Sequence, residues 1–287
     1  MSKESHPGKE RWDLVIGSDS SFFSSQLALL WRYRDLILLL VKRDFTAQYK
    51  QSILGPLWHV LQPIVQTIIY ATLFGFLLNV STEGVPRGMF FLSGFVLWNF
   101  FAPSFTSISN TFVSNASIFG KVYFPRMTAP IAVLFSNLIK FCIHFAIFLV
   151  VMLIYMGTGK DVHPTWYALL TPVYLFILAL MALGLGLIIS SLTTKYRDVS
   201  HFLPYFVQML MFFTPVLYPP AQWKQYEWIL RLSPLTPVIE AFRYSWIGSG
   251  GQVSGEGLLY STVFAIIVFF CGAWLFARME RSFMDTV

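Results

Sequence analysis

The chain has 287 residues, of which 56% are apolar and 12% charged, and its 29 Phe outnumber every charged type. Soluble domains carry about 25% charged residues, so this composition excludes a mainly water-facing surface and points to an integral membrane protein of one domain. The net charge of +6 invites a nucleic-acid reading, but its placement along the chain, described below, argues for membrane topology and no nucleic acid.

Residues 1–22 are polar and read as a cytoplasmic tail, and the first 25 residues have no apolar core like a signal peptide's. Residues 23–50 read as a helix. Its longest uncharged run, Leu36–Val41, is too short to cross a bilayer, and Trp31 and Tyr33 stand beside Arg32, Arg34 and Asp35. That mixture suits an amphipathic helix lying along the interface, with an ordinary cytoplasmic helix as the alternative.

Residues 51–287 form the membrane domain. A span needs about 20 mostly apolar residues, and uncharged runs place six, the third extended to full length by tolerating Lys140, at about 55–80, 88–113, 128–156, 165–192, 199–218 and 256–277. With no water to satisfy backbone groups, these are helices, so the fold class is an all-α membrane protein. The links are short except 218–256, which carries Trp223, Trp228, Trp246 and several Pro. It reads as short helices re-entering the outer leaflet. With the N-terminus inside, the outer segments hold only Arg87, Lys160, Lys224, Arg231 and Arg243, and most other Lys and Arg lie inside. Both termini are therefore expected in the cytoplasm.

Polar residues recur on single helical faces. At about 100° per residue, His59, Gln62, Gln66 and Tyr70 share an arc of roughly 80°. Asn99, Pro103, Thr106 and Asn110 align on the second span, and His201, Pro204, Gln208 and Pro215 on the fifth. Two explanations are open: hydrogen bonds between helices, or the wall of a polar passage. Lys140 shares a face with Asn137 and His144. A charge at that depth marks a functional interior, unless its amine reaches back to the headgroups. "ALGLGLIISS" offers small residues for close helix packing, and Glu240 and Arg243 are spaced as a local i,i+3 pair. Cys142 and Cys271 form no motif and read as small core residues.

Catalytic chemistry is missing. "GTGK" at 157–160 lacks the first Gly and final Ser/Thr of a phosphate loop, and no nucleophile, acid pair or metal-ligand set stands out. The chain is not read as an enzyme, and any ATP is hydrolysed elsewhere. Force must then enter through an inner loop, and "SIFGKVYFPRM" (117–127) is the best candidate, with Tyr123 and Phe124 as apolar anchors and Lys121 and Arg126 at the rim. A basic loop resting on anionic lipid is the alternative.

The stretches "KRDFTAQYKQSILGPLWHVLQPI", "GKVYFPRMTAPIAVLFSNLI", "KYRDVSHFLPYFVQMLMFFTPVLYP" and "LSPLTPVIEAFRYSW" resemble, in order, those of the permease subunits of ABC exporters for cell-surface polysaccharides such as O-antigen, teichoic acid and capsule. The resemblance runs from about residue 25 onward and implies a type-2 ABC exporter architecture in the cytoplasmic (inner) membrane. It implies a homodimer bound to two ATPase subunits, which would hold ATP and Mg, with no cofactor on this chain. The substrate implied is a lipid-linked glycan on an undecaprenyl diphosphate carrier. Gly120, Lys121, Val122, Tyr123, Phe124, Pro125 and Arg126 would be the coupling loop, beside Arg43, Asp44 and Tyr49 of the interface helix. The passage between protomers would be lined by His59, Gln62, Gln66, Tyr70, Asn99, Thr106, His201, Gln208 and Phe212, with Lys140 and His144 as further intramembrane candidates. An ABC permease for another lipid or a drug, and a membrane-embedded transferase, are the competing readings.

Overall fold

A computed structural model describes residues 30–49, 52–119, 124–220 and 227–284. Every regular element among them is helical. The first, α1 (Arg34–Tyr49), is followed by α2 (Trp58–Tyr70), which continues as one wide π-turn segment over Ala71–Leu77. Then come α3 (Arg87–Ser109), the short α4 (Thr111–Phe119), α5 (Thr128–Gly157) and α6 (Thr171–Lys195). The last four are α7 (Arg197–Phe212), α8 (Glu227–Leu232), α9 (Thr236–Ile247) and α10 (Gly255–Met284).

Five stretches are long and apolar enough to cross a membrane: α2 with its π segment, α3, α5, α6 with the turn before it, and α10. Their burial differs sharply. In α3, 78% of the apolar window is buried inside the protein, against 11% in α2. So α3 is the central post, with α2 and α5 against it and α6, α7 and α9 packed on its other contacts. Its Phe90, Phe91, Phe95, Phe100, Phe101 and Phe105 fill the core.

The second and fifth expected spans need correction. The 88–113 span ends early, because Asn110 breaks the helix and α4 starts anew. Here Ser109, Asn110 and Thr111 all donate side-chain hydrogen bonds to carbonyls four residues back, a pattern that bends helices. The 199–218 span stops at Phe212. Pro215 disfavours helix at Thr214 and offers no N–H. The 16 residues of α7 cover only about 24 Å at 1.5 Å each, less than the ~30 Å hydrocarbon core.

The expected small-residue seam is where α6 meets α10, the most extensive helix pair among the described residues. A Cβ on Gly272 would lie 2.3 Å from the Gly184 carbonyl oxygen, and one on Gly184 would lie 2.5 Å from the Phe269 nitrogen. The two backbones touch, and no side chain fits between them. Cys142 and Cys271, expected in the core, are both on the outside of the protomer. "GTGK" is the end of α5 and the turn that follows it, with Gly159 at φ +71° and Lys160 over the Tyr155 ring.

Arg243 of α9 is fully buried. Glu240 acts on it electrostatically, as the spacing suggests, but its reach is far wider than one local pair. Its Nη2 donates to the Pro215 carbonyl at 2.9 Å, its Nε lies 3.3 Å from Ser93 Oγ, and the guanidinium sits 3.8 Å from the Phe90 ring centroid. One cation thus joins α9, the chain after α7, and α3.

Arg243→Leu removes these bonds and leaves a buried carbonyl bare, which costs about 3 kcal/mol; thermal unfolding in detergent should show a clearly lowered midpoint. Gly272→Leu should disrupt the α6–α10 seam more severely, read as loss of the monodisperse protein in size-exclusion chromatography.

Candidate functional site

Three of the four polar residues on the first span are taken up by neighbouring helices. The His59 ring meets the His144 ring of α5 edge-on at 6.4 Å and Phe45 of α1 at 6.3 Å. Gln66 Oε1 accepts a hydrogen bond from Asn99 Nδ2 of α3 at 3.0 Å. Tyr70 packs on Phe95 of α3 at 5.0 Å. The Gln66–Asn99 contact is an interhelical hydrogen bond, worth on the order of 0.6–2 kcal/mol, whereas His59 and Tyr70 meet the neighbouring helices through ring packing. Gln62, in contrast, stays exposed.

The fifth-span stripe behaves differently. Only Leu203, Val207 and Met211 of α7 are buried. His201, Pro204 and Gln208 are exposed, and Phe202, Tyr205, Phe206 and Phe212 stand exposed around them. Pro215 has left this face, for it lies beyond the helix and is buried. In α3, Pro103 and Ser107 are exposed while Asn99, Thr106 and Asn110 are half-buried, so the polar strip is the open side of an otherwise enclosed helix.

The lower end of that strip opens into a cavity of about 470 Å³ between α1, α3, α4 and α5. Here the structure unites residues that the sequence presents as three separate groups. From α1, Arg43 pairs with Asp44 at 2.7 Å and donates to Asn115 Oδ1 of α4 at 3.3 Å. From α5, Lys140 Nζ donates to Asn137 Oδ1 at 3.1 Å, and the Asp44 carboxylate acts on it electrostatically. From α3 come Thr106 and Ser107, and from the break after it Asn110. Asn115 and Ser136 carry no mark in a linear reading, although both are buried. Their i,i+4 bonds to Thr111 and Ala132 carbonyls are the only local hint. Tyr49 closes α1.

Of the expected coupling loop, Gly120, Lys121, Val122 and Tyr123 lie outside the described residues. Phe124 and Arg126 turn inward instead of standing as an exposed anchor and rim. Phe124 packs on Phe119 at 5.5 Å, and the Arg126 guanidinium lies 5.8 Å from the Phe119 ring and 6.0 Å from Phe112. Phe112 in turn stacks on Phe276 of α10 at 4.6 Å. This aromatic cage fastens the end of the loop to the bundle; Pro125 stays half-exposed.

Comparison with known proteins adds two findings. A family model described as ABC-2 type transporter matches residues 35–247. The O-antigen export system permease protein RfbA of Myxococcus xanthus is 25% identical over 261 residues, covering 90% of this chain and 97% of that protein. RfbA of Klebsiella pneumoniae is 26% identical over 255 residues, covering 88% and 94%. The polysialic acid transport protein KpsM of Escherichia coli is 25% identical over 246 residues, covering 85% and 93%.

The Gln66–Asn99 bond makes a double-mutant cycle informative. Gln66→Leu, Asn99→Leu and the pair, compared by thermal unfolding in detergent, should give a coupling energy of about 1 kcal/mol.

Proposed function

This chain belongs to the ABC-2 type transporter family, and on that premise we propose that it is the membrane permease of an ATP-driven exporter of cell-surface polysaccharide. Its relatives are named as export permeases for O-antigen and polysialic acid. It carries the substrate path, and hydrolysis belongs to a separate ATPase subunit that holds ATP and Mg. The working unit in this reading is a homodimer with two ATPase subunits in the inner membrane. Five spans are joined by α7 as a sixth, completed by the turn to Tyr218, so that both termini face the cytoplasm. The glycan travels attached to a lipid, with undecaprenyl diphosphate as the carrier. Residues 120–126 receive the ATPase stroke, and α1 lies along the interface beside them.

The observation that carries this reading is the open face of α7. Imidazole and amide groups turned toward lipid tails are costly, yet His201 and Gln208 are left uncovered by their own protomer, among four exposed aromatics. A hydrated conduit at the seam with a second copy removes that cost. A glycan sheds water from many hydroxyls as it enters, at a few kcal/mol per group left without a partner. Amide side chains replace those bonds, and ring faces pack on the sugars. Each grip is weak, so the polymer slides.

Gln62 and Gln208 are the exposed amides on the two faces, and neither holds a helix in place by a hydrogen bond. Replacing both by Leu should lower ATP-driven glycan movement into vesicles several-fold while the complex with its ATPase still assembles. Unchanged transport by the double variant would overturn the passage.

A further inference from the structure

The cavity between α1, α3, α4 and α5 holds hydrogen-bonding groups that are unequally committed. Thr106, Asn110, Asn115 and Ser136 give donors to backbone carbonyls of their own helices. Arg43 uses Nε and Nη2 on Asp44 and Asn115. What remains uncommitted among the described residues is richer in donors than in acceptors. The donors are two of the three Lys140 N–H groups, the Asn137 amide N–H₂ and Arg43 Nη1, the Ser107 and Ser114 hydroxyls can donate or accept, and the acceptors are Asp44 Oδ2 and Asn110 Oδ1.

The charges are unequal too. Arg43 and Asp44 neutralise each other in direct contact, whereas Lys140 touches only a neutral amide. A cation with spare donors calls for an anion rich in acceptors. A neutral sugar presents donors and acceptors alike and would match this excess of donors and positive charge less well than an anion. A phosphoester presents acceptor oxygens and negative charge only. The volume of about 470 Å³ lies within the roughly 300–1,000 Å³ typical of small-molecule sites, and basic pockets between spans on the cytoplasmic side are suited to lipid headgroups.

We propose that this cavity binds the phosphate headgroup of an amphiphile, with Lys140 as the cation and Asn137 and Ser107 as hydrogen-bond donors. The headgroup comes either from the lipid carrier of the glycan or from an ordinary anionic phospholipid. Only the first of these sources rests on the exporter reading.

The full chain, assembled with its ATPase in maltoside micelles, is titrated with undecaprenyl diphosphate, phosphatidylglycerol and digalactosyl diacylglycerol, and native mass spectrometry counts the bound amphiphile. The two phosphorylated probes should bind, and the phosphate-free, hydroxyl-rich galactolipid should not compete. K140Q should weaken phosphate binding at least about tenfold, the scale of a lost hydrogen bond to a charged group. K140R should restore most of it, and S107A should weaken it a few-fold. Tighter binding of the diphosphate than of phosphatidylglycerol assigns the site to the carrier, and equal binding assigns it to anionic lipid in general; both support the proposal. Competition by the galactolipid overturns it, as does unchanged binding by K140Q. Should K140Q fail to assemble, S107A decides in the same way. Intact phosphate binding in a complex that moves no glycan would sink the exporter reading and leave this site standing.

Discussion

The structure depends on one constraint: inside a bilayer no water is present to complete a hydrogen bond, so each polar group needs a partner within the protein or a hydrated space to face. Applied residue by residue, this separates groups that look alike. Gln66 and Gln62 lie one helical turn apart on α2. One is bonded to Asn99, and the other is exposed. The same division runs through the chain, with Arg243 Nη2, Tyr174 and Trp246 hydrogen-bonded inside the protomer and the amide and imidazole of α7 left open.

The satisfied groups build the frame. Central α3 is held by aromatic packing along most of its length, and polar contacts tie it to its neighbours at both ends. Arg243 fixes the α9 end of the bundle, where it bridges α9, the residues after α7 and Ser93. At the other end Arg126 sits against two Phe rings of α4, one of which stacks on Phe276 of α10. A rigid post with fastened ends suits a protein that must convert force applied at one face into opening at another.

Much of this was legible in the residues. Charge-free length locates four of the five spans, α5 follows once Lys140 is allowed inside it, and the Gly pattern of α6 announces a close seam because only Gly lets two backbones touch. The stop of α7 could have been read from Pro215, which sits inside the expected span. The fate of each polar stripe was not legible, because a helix face gives the direction of a side chain and not what lies opposite. His59, Gln66 and Tyr70 find His144, Asn99 and Phe95, and those partners depend on how three helices register. Arg243 misled for the same reason: its i,i+3 neighbour is local, while Ser93 and the Pro215 carbonyl come from other parts of the chain. The cavity was hidden most completely. Arg43, Asn115 and Lys140 meet only once four elements have packed. Phe124 and Arg126 resemble an exposed anchor and rim until the cage of Phe112 and Phe119 accounts for both.

The central claim is that the uncovered face of α7 meets water and sugar, not lipid tails. Its most direct measurement is thiol accessibility in the assembled complex, with Cys142 and Cys271 replaced by Ala and single cysteines placed at Gln208 on α7 and, as a lipid-facing control, at the exposed Ile267 on α10. A small, charged, membrane-impermeant thiol reagent should label Gln208→Cys, and substrate glycan should slow that labelling, while Ile267→Cys stays unreactive. Equal silence at both positions would mean that α7 faces hydrocarbon, and the passage described here would not exist.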